Sequence, residues 1–236
     1  MPSISTIGVF LYSLPFFYIT LHSYRSYLKD KQDNKKKHVF YATLSVSIAF
    51  ISGLAANSIC SPEMSSEREI LINALFKSFD AFNTIGVFWF FVFLTDFIVK
   101  LKRYIPFIVV HLGITLALIL LTPAGVILIA GGEPLIDRAG IRTAAVLVFW
   151  FLYWTIIAHN FLEYSKLSGK KQVKLRCKLM SLGAAFAILA YLFAVLSVTY
   201  HEIILKLISY FCAGASGIVF YSGFVFPGWL RKRFGE

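Results

Sequence analysis

The chain is 236 residues long, 58% hydrophobic and only 15% charged, with a net charge of +11. Soluble domains carry about a quarter charged residues, so this composition excludes a disordered chain and argues against a water-soluble one. Seven helices of about 20 residues each would use roughly 140 residues and leave about 96 for loops and tails. The expected fold is therefore all-α: one polytopic transmembrane bundle, with no room for a sizeable soluble domain.

Apolar runs predict spans at about 4–24, 38–59, 79–99, 105–122, 143–163, 178–199 and 204–226. The first begins near Ile4 without a basic segment before it, and no translocated soluble domain follows, so it reads as a retained helix rather than a cleaved signal. It is rich in rings (Tyr12, Phe16, Phe17, Tyr18, Tyr24), as is the third span (Phe88, Trp89, Phe90, Phe91, Phe93). Such rings chiefly pack against neighbouring helices or lipid, and a lipidic ligand pocket is the lesser reading. Between the second and third spans, Pro62 precedes Ser66 and Glu69 at capping-box spacing, then Ile70, Leu71, Ile72, Leu75 and Phe76. This pattern predicts a short amphipathic helix lying on the outer surface, where it would be the element large enough to meet a partner.

The fourth span is stopped by Thr122-Pro123-Ala124-Gly125, Val126 to Ala130 reads as an interfacial return, and Gly131-Gly132 suits a turn. In the seventh span Ala213, Gly214, Ala215, Ser216, Gly217 and Gly223 would let another backbone approach closely.

Charge orients the bundle. Six Lys or Arg residues lie between spans one and two, three between three and four, six between five and six, and three in the C-terminal tail. These eighteen face five on the opposite side: Arg68, Lys77, Arg138, Arg142 and Lys206. The positive-inside rule then puts the N-terminus outside and the C-terminus in the cytoplasm, as an odd number of spans requires. The charge is loop charge, so no nucleic-acid partner is expected; the basic inner face would meet anionic lipid headgroups.

Ionisable groups at membrane depth are costly unless paired or wet, which makes them the first candidates for function. The inner level holds Asp96 on span three, His111 on span four, and His159 and Glu163 one turn apart on span five. Adjoining helices would bring these together as a proton relay or polar ligand site; the simpler expectation is that the carboxylates answer nearby lysines and the histidines make interhelical hydrogen bonds. The outer level holds Asn57, Glu63, Asp80, Asn83, His201 and Glu202, read as a solvated rim or as a vestibule for a polar ligand. Cys60, Cys177 and Cys212 lack metal-ligand spacing and predict no disulfide framework. There is no GxSxG, Walker-type, GxGxxG or metalloprotease motif, so no enzyme, metal or cofactor is expected. Asp80 and Thr84 look like the third-helix Asp-x-x-x-Thr of microbial rhodopsins. However, the middle of the last span is Ala213-Gly214-Ala215-Ser216 rather than a lysine, which argues against a retinal pigment.

Three features carry a family resemblance: the basic turn after span three with an apolar fourth span ending Leu120-Leu121-Thr122-Pro123; the basic stretch from Tyr164 to Lys178 before a small-residue-rich sixth helix; and the exit Pro227-Gly228-Trp229-Leu230-Arg231. Over about residues 80–233 the chain resembles the seven-helix membrane modules at the N-termini of sensor histidine kinases. That resemblance implies a sensor or receptor-like membrane subunit. Here the chain ends shortly after Trp229, so it would signal through a separate membrane or cytoplasmic partner protein. The competing expectations are an accessory subunit of a larger membrane complex and a small proton-coupled transporter built on Asp96, His111, His159 and Glu163.

Overall fold

The computed structural model describes residues 4–60, 65–122, 125–129, 133–137, 141–227 and 230. Within them run α1 (Ile4–Lys29), α2 (Asn34–Ile59), α3 (Ser66–Thr95), a 3-10 turn (Val99–Tyr104), α4 (Ile105–Leu121), strands β1 (Gly125–Ile129) and β2 (Glu133–Asp137), α5 (Ile141–Leu167), α6 (Lys171–Tyr200) and α7 (Ile203–Val225). All seven helices are long and apolar enough to cross a membrane. The helix limits follow local chemistry. Asp33 caps α2 by accepting from the Lys35 amide at 2.9 Å. Pro106 occupies the first turn of α4, where a missing N–H costs nothing. Around the cap of α2, Lys36 pairs with Asp30 and Asp33, and its hydrogen bond holds the Asp30 carboxyl below the ordinary carboxylate range.

Six helices close a ring in the order α1, α2, α3, α5, α6, α7, with α7 returning to α1; α4 packs outside it, in the angle between α3 and α5. Accordingly α4 buries Ile108, Thr115 and Ile119 and exposes Phe107, Val110, Ile114, Leu120 and Leu121, a surface suited to hydrocarbon. The ring's centre is aromatic: Phe90 stacks on Phe220 at 5.3 Å, and Trp154 lies 5.5 Å from the same ring. The small residues of α7 find their neighbours within the chain. A Cβ on Gly217 would fall 2.9 Å from the Phe16 ring, and one on Gly223 would fall 3.1 Å from the Met180 sulfur.

Three expectations need correction. The amphipathic stretch after Ser65 is not a separate surface helix but the first turns of α3, because no proline or glycine interrupts the sequence before Gly86. Ile72 and Phe76, one turn apart, pack on Ala56 of α2 and hold this extension upright. The cap is Ser65 rather than Ser66, its hydroxyl accepting from the Arg68 amide. At the other end α3 stops at Thr95, short of the expected 99, and the chain turns through Asp96 into the 3-10 segment.

The expected interfacial return is half of a β-hairpin, in which β1 pairs antiparallel with β2, Gly125 opposite Asp137 and Ile129 opposite Glu133. Strand β1 neighbours α3, and β2 neighbours α1 and α6, so the hairpin lies across the end of the bundle where α1 begins. Glu63, Pro123, Ala130, Gly131-Gly132, Arg138, Gly228, Trp229 and Arg231, all singled out in the sequence, lie outside the described residues.

Candidate functional site

At the N-terminal end of the ring, where α1, α3, α5 and α7 start, the polar residues face inward rather than forming a rim. Arg142, in the first turn of α5, donates from Nη2 to Asp80 Oδ2 at 2.6 Å, with the two side chains 2% and 1% exposed. One turn further along α3, the Thr84 hydroxyl donates to the Asp80 carbonyl at 2.7 Å and accepts from the Trp150 indole N–H at 3.0 Å. Two turns of α3 and α5 are thus joined by an ion pair and an interhelical hydrogen bond. Among the described residues, Arg142 Nε and Nη1 have no hydrogen-bond partner. At the same level, Lys77 donates to the Leu120 carbonyl at 2.9 Å, placing a cation on the last turn of α4 where the helix dipole favours it.

Beside this joint, between α1, α2, α3, α6 and α7, lies a cavity of about 160 Å³. Its walls are mostly rings, among them Tyr12, Phe16, Phe50, Phe79, Trp154, Tyr191 and Tyr210, and its polar lining is Asn57, Asn83, Ser197, Lys206, Ser209 and Ser216. The serine protons are committed to α6: Ser209 donates to the Ala190 carbonyl and Ser216 to that of Gly183, both at 2.8 Å, while Ser197 bonds within α6 to Ala194. Asn57 donates one turn back to Gly53 at 2.7 Å. Two polar groups remain unspent among the described residues: the Asn83 carboxamide, only 2% exposed, and the Trp154 indole N–H. Lys206, in the first turn of α7, is 6% exposed and contributes an ammonium to the lining. Buried polar groups in native proteins are normally satisfied, so unspent ones beside a cavity mark a place built for something else.

Of the outer candidates, Asp80 and Asn83 are therefore core residues, one in the α3–α5 joint and the other in the cavity wall. His201 and Glu202 stay on the surface as the two-residue turn between α6 and α7, with His201 in the left-handed conformation (φ 54°). The inner candidates do not form one cluster. Asp96 accepts from His38 of α2 at 2.7 Å, with the imidazole stacked on Trp89. His111 shares a 3.0 Å hydrogen bond with Tyr153 across α4 and α5. Glu163 pairs with Lys166 at 2.6 Å on the surface, beside an exposed His159. Among the described residues, no three His, Cys, Asp or Glu side chains converge as a metal site. At this basic end a second cavity, of about 330 Å³, is lined by His22, Lys35, Lys36 and Arg176 together with rings. Lys35 lies 4.7 Å over Phe97 and Arg176 4.5 Å over Phe226.

Sequence reasoning missed Arg142, Lys206 and His38, treating the first two as loop charges. One signal was available: both sit just inside apolar runs, on the side poor in positive charge, where a basic residue is expensive and needs a local reason. No known protein family, no curated protein and no solved structure matches the chain.

Proposed function

We propose that the chain is a seven-span integral membrane protein, N-terminus outside and basic end in the cytoplasm, that works as a non-enzymatic sensor or receptor-like subunit. It holds a small ligand in the cavity at the outer end of the ring and signals through a separate partner at the basic face. The observation that carries this reading is the pairing of a ring-walled cavity with buried polar groups that the protein itself does not use, Asn83 and the Trp154 N–H. A pocket of this kind, mostly apolar with a few fixed polar groups, is the usual form of a small-molecule site between helices. The charge asymmetry and the sequence likeness to the membrane modules of sensor kinases support the same reading. The lysines and arginine around the inner cavity suit contact with anionic headgroups or an acidic partner surface.

The test is gentle extraction from the native membrane followed by mass measurement of the intact particle. The expected result is a single chain or homodimer carrying a small non-protein mass. A fixed stoichiometric set of other membrane proteins would overturn the proposal in favour of an accessory subunit. Proton-coupled uptake into liposomes that is abolished by Asp96→Asn would overturn it in favour of transport.

A further inference from the structure

We infer that the outer cavity selects a small monocarboxylate whose apolar body is about the size of one aromatic ring; this rests on the reading of that cavity as the ligand site. Its volume of about 160 Å³ is close to that of an apolar protein cavity of about 150 Å³ that accepts benzene, so a diacyl lipid or a multi-ring compound does not fit without opening the helices.

Charge narrows the ligand further. Among the described lining residues the single formal charge is the Lys206 ammonium, and none is a carboxylate. A cationic ligand would meet like charge in a poorly hydrated site, whereas an anion balances it. Lys206 already interacts within the chain, but an ammonium carries three donors and no acceptor, so an incoming acceptor can share it. The carboxamide of Asn83 adds an N–H donor, and the serine protons are already given to α6. The site therefore calls for acceptors, and a carboxylate, acceptor-only when ionised, supplies them.

Polarity along the cavity sets the orientation. Lys206 lies in the first turn of α7 and Asn57 near the last residue of α2, while Ser216 is ten residues further down α7, about 15 Å deeper, among Phe16 and Trp154. A carboxylate at the Lys206 level leaves the ring to the aromatic walls below.

The test uses the full chain in phosphatidylcholine nanodiscs, with empty nanodiscs as the blank. The probes are 4-fluorobenzoate and its neutral counterpart 4-fluorobenzamide, read by fluorine NMR line broadening. The expected result is that the carboxylate binds at least tenfold more tightly than the amide. Lys206→Met should weaken the carboxylate about ten- to a hundredfold, the scale of a hydrogen bond to a charged group, and leave the amide unchanged. Asn83→Leu should weaken it less, and Lys178→Met on the exposed face of α6 should have no effect. Equal binding of both probes overturns the assignment of charge while leaving the cavity a ligand site. Binding of neither overturns the assigned size and class, and the mass measurement on native material then decides the receptor reading separately. The comparison of acid with amide is made on the unaltered chain, so the inference stays open to refutation even where a variant fails to fold.

Discussion

Replacing Asp80 by leucine should be among the most damaging single changes in the bundle. The carboxylate is the sole hydrogen-bonding partner of Arg142 among the described residues; Nη2 reaches it at 2.6 Å, the guanidinium is 2% exposed, and Nε and Nη1 make no other bond. Asp80→Leu leaves that cation buried and uncompensated, a situation that costs about 3–5 kcal/mol, or roughly two to three and a half powers of ten in the folding equilibrium. Arg142→Met should cost less, because Asp80 keeps further interactions. The double variant Asp80→Leu/Arg142→Met, which replaces the pair with apolar groups, should return to within about 1 kcal/mol of the parent or exceed it. The assay is reversible unfolding in mixed micelles of increasing dodecyl sulfate fraction, followed by helical circular dichroism, with the coupling energy taken from the complete cycle. A loss below about 1 kcal/mol for Asp80→Leu, or a double variant no better than the worse single one, would refute the claim that this pair is dry and mutually dependent.

Close helix approach predicts a contrast between two glycines. A Cβ on Gly86 would meet Val46 Cγ2 at 2.6 Å and the Ala42 carbonyl oxygen at 3.3 Å, whereas one on Gly113 meets nothing within 4 Å. Gly86→Ala should therefore cost about 1–3 kcal/mol and Gly113→Ala should be neutral or slightly stabilising, both read in the same unfolding assay; equal effects would show that α2 and α3 are not in close contact. Tyr153→Phe removes the 3.0 Å hydrogen bond to His111 and should cost only about 0.6 kcal/mol, the usual scale for such bonds inside membranes; a loss above about 2 kcal/mol would mean that the bond belongs to a larger polar network. Orientation is checked with a membrane-impermeant maleimide on chains lacking the native cysteines. Arg68→Cys should label on intact cells and Lys170→Cys only after lysis, and labelling of both from one side would refute the proposed topology.

The spans were legible because they depend on composition and length alone: twenty apolar residues read the same whatever they touch. The polar joint was not, because Arg142 and Asp80 are 62 positions apart, and nothing in a single sequence says that α5 begins at the depth of the fifteenth residue of α3. The inner quartet failed for a related reason. Shared depth is not contact: α4 lies outside the ring and His111 turns to Tyr153 on α5, while Asp96 is claimed from α2 by His38. The long α3 was hidden by a local capping pattern whose one-residue error in the cap mattered less than what followed, an unbroken helix-compatible run that Ile72 and Phe76 could seat against Ala56.

The two-residue turn His201-Glu202 gives α7 the mechanics of a lever. Its tether is at the cavity end: Ser209 lies six residues beyond the first residue of the helix and Val225 twenty-two, arms of about 9 and 33 Å. If α7 stays rigid and pivots on that turn, a sideways displacement of about 1 Å at Ser209 becomes about 4 Å at Val225, beside the basic cavity. The restraints are the two serine hydrogen bonds to the carbonyls of Ala190 and Gly183. They stand at different distances from the pivot, so the outer one must stretch further than the inner for the same rotation, and Ser216 would be the first to let go.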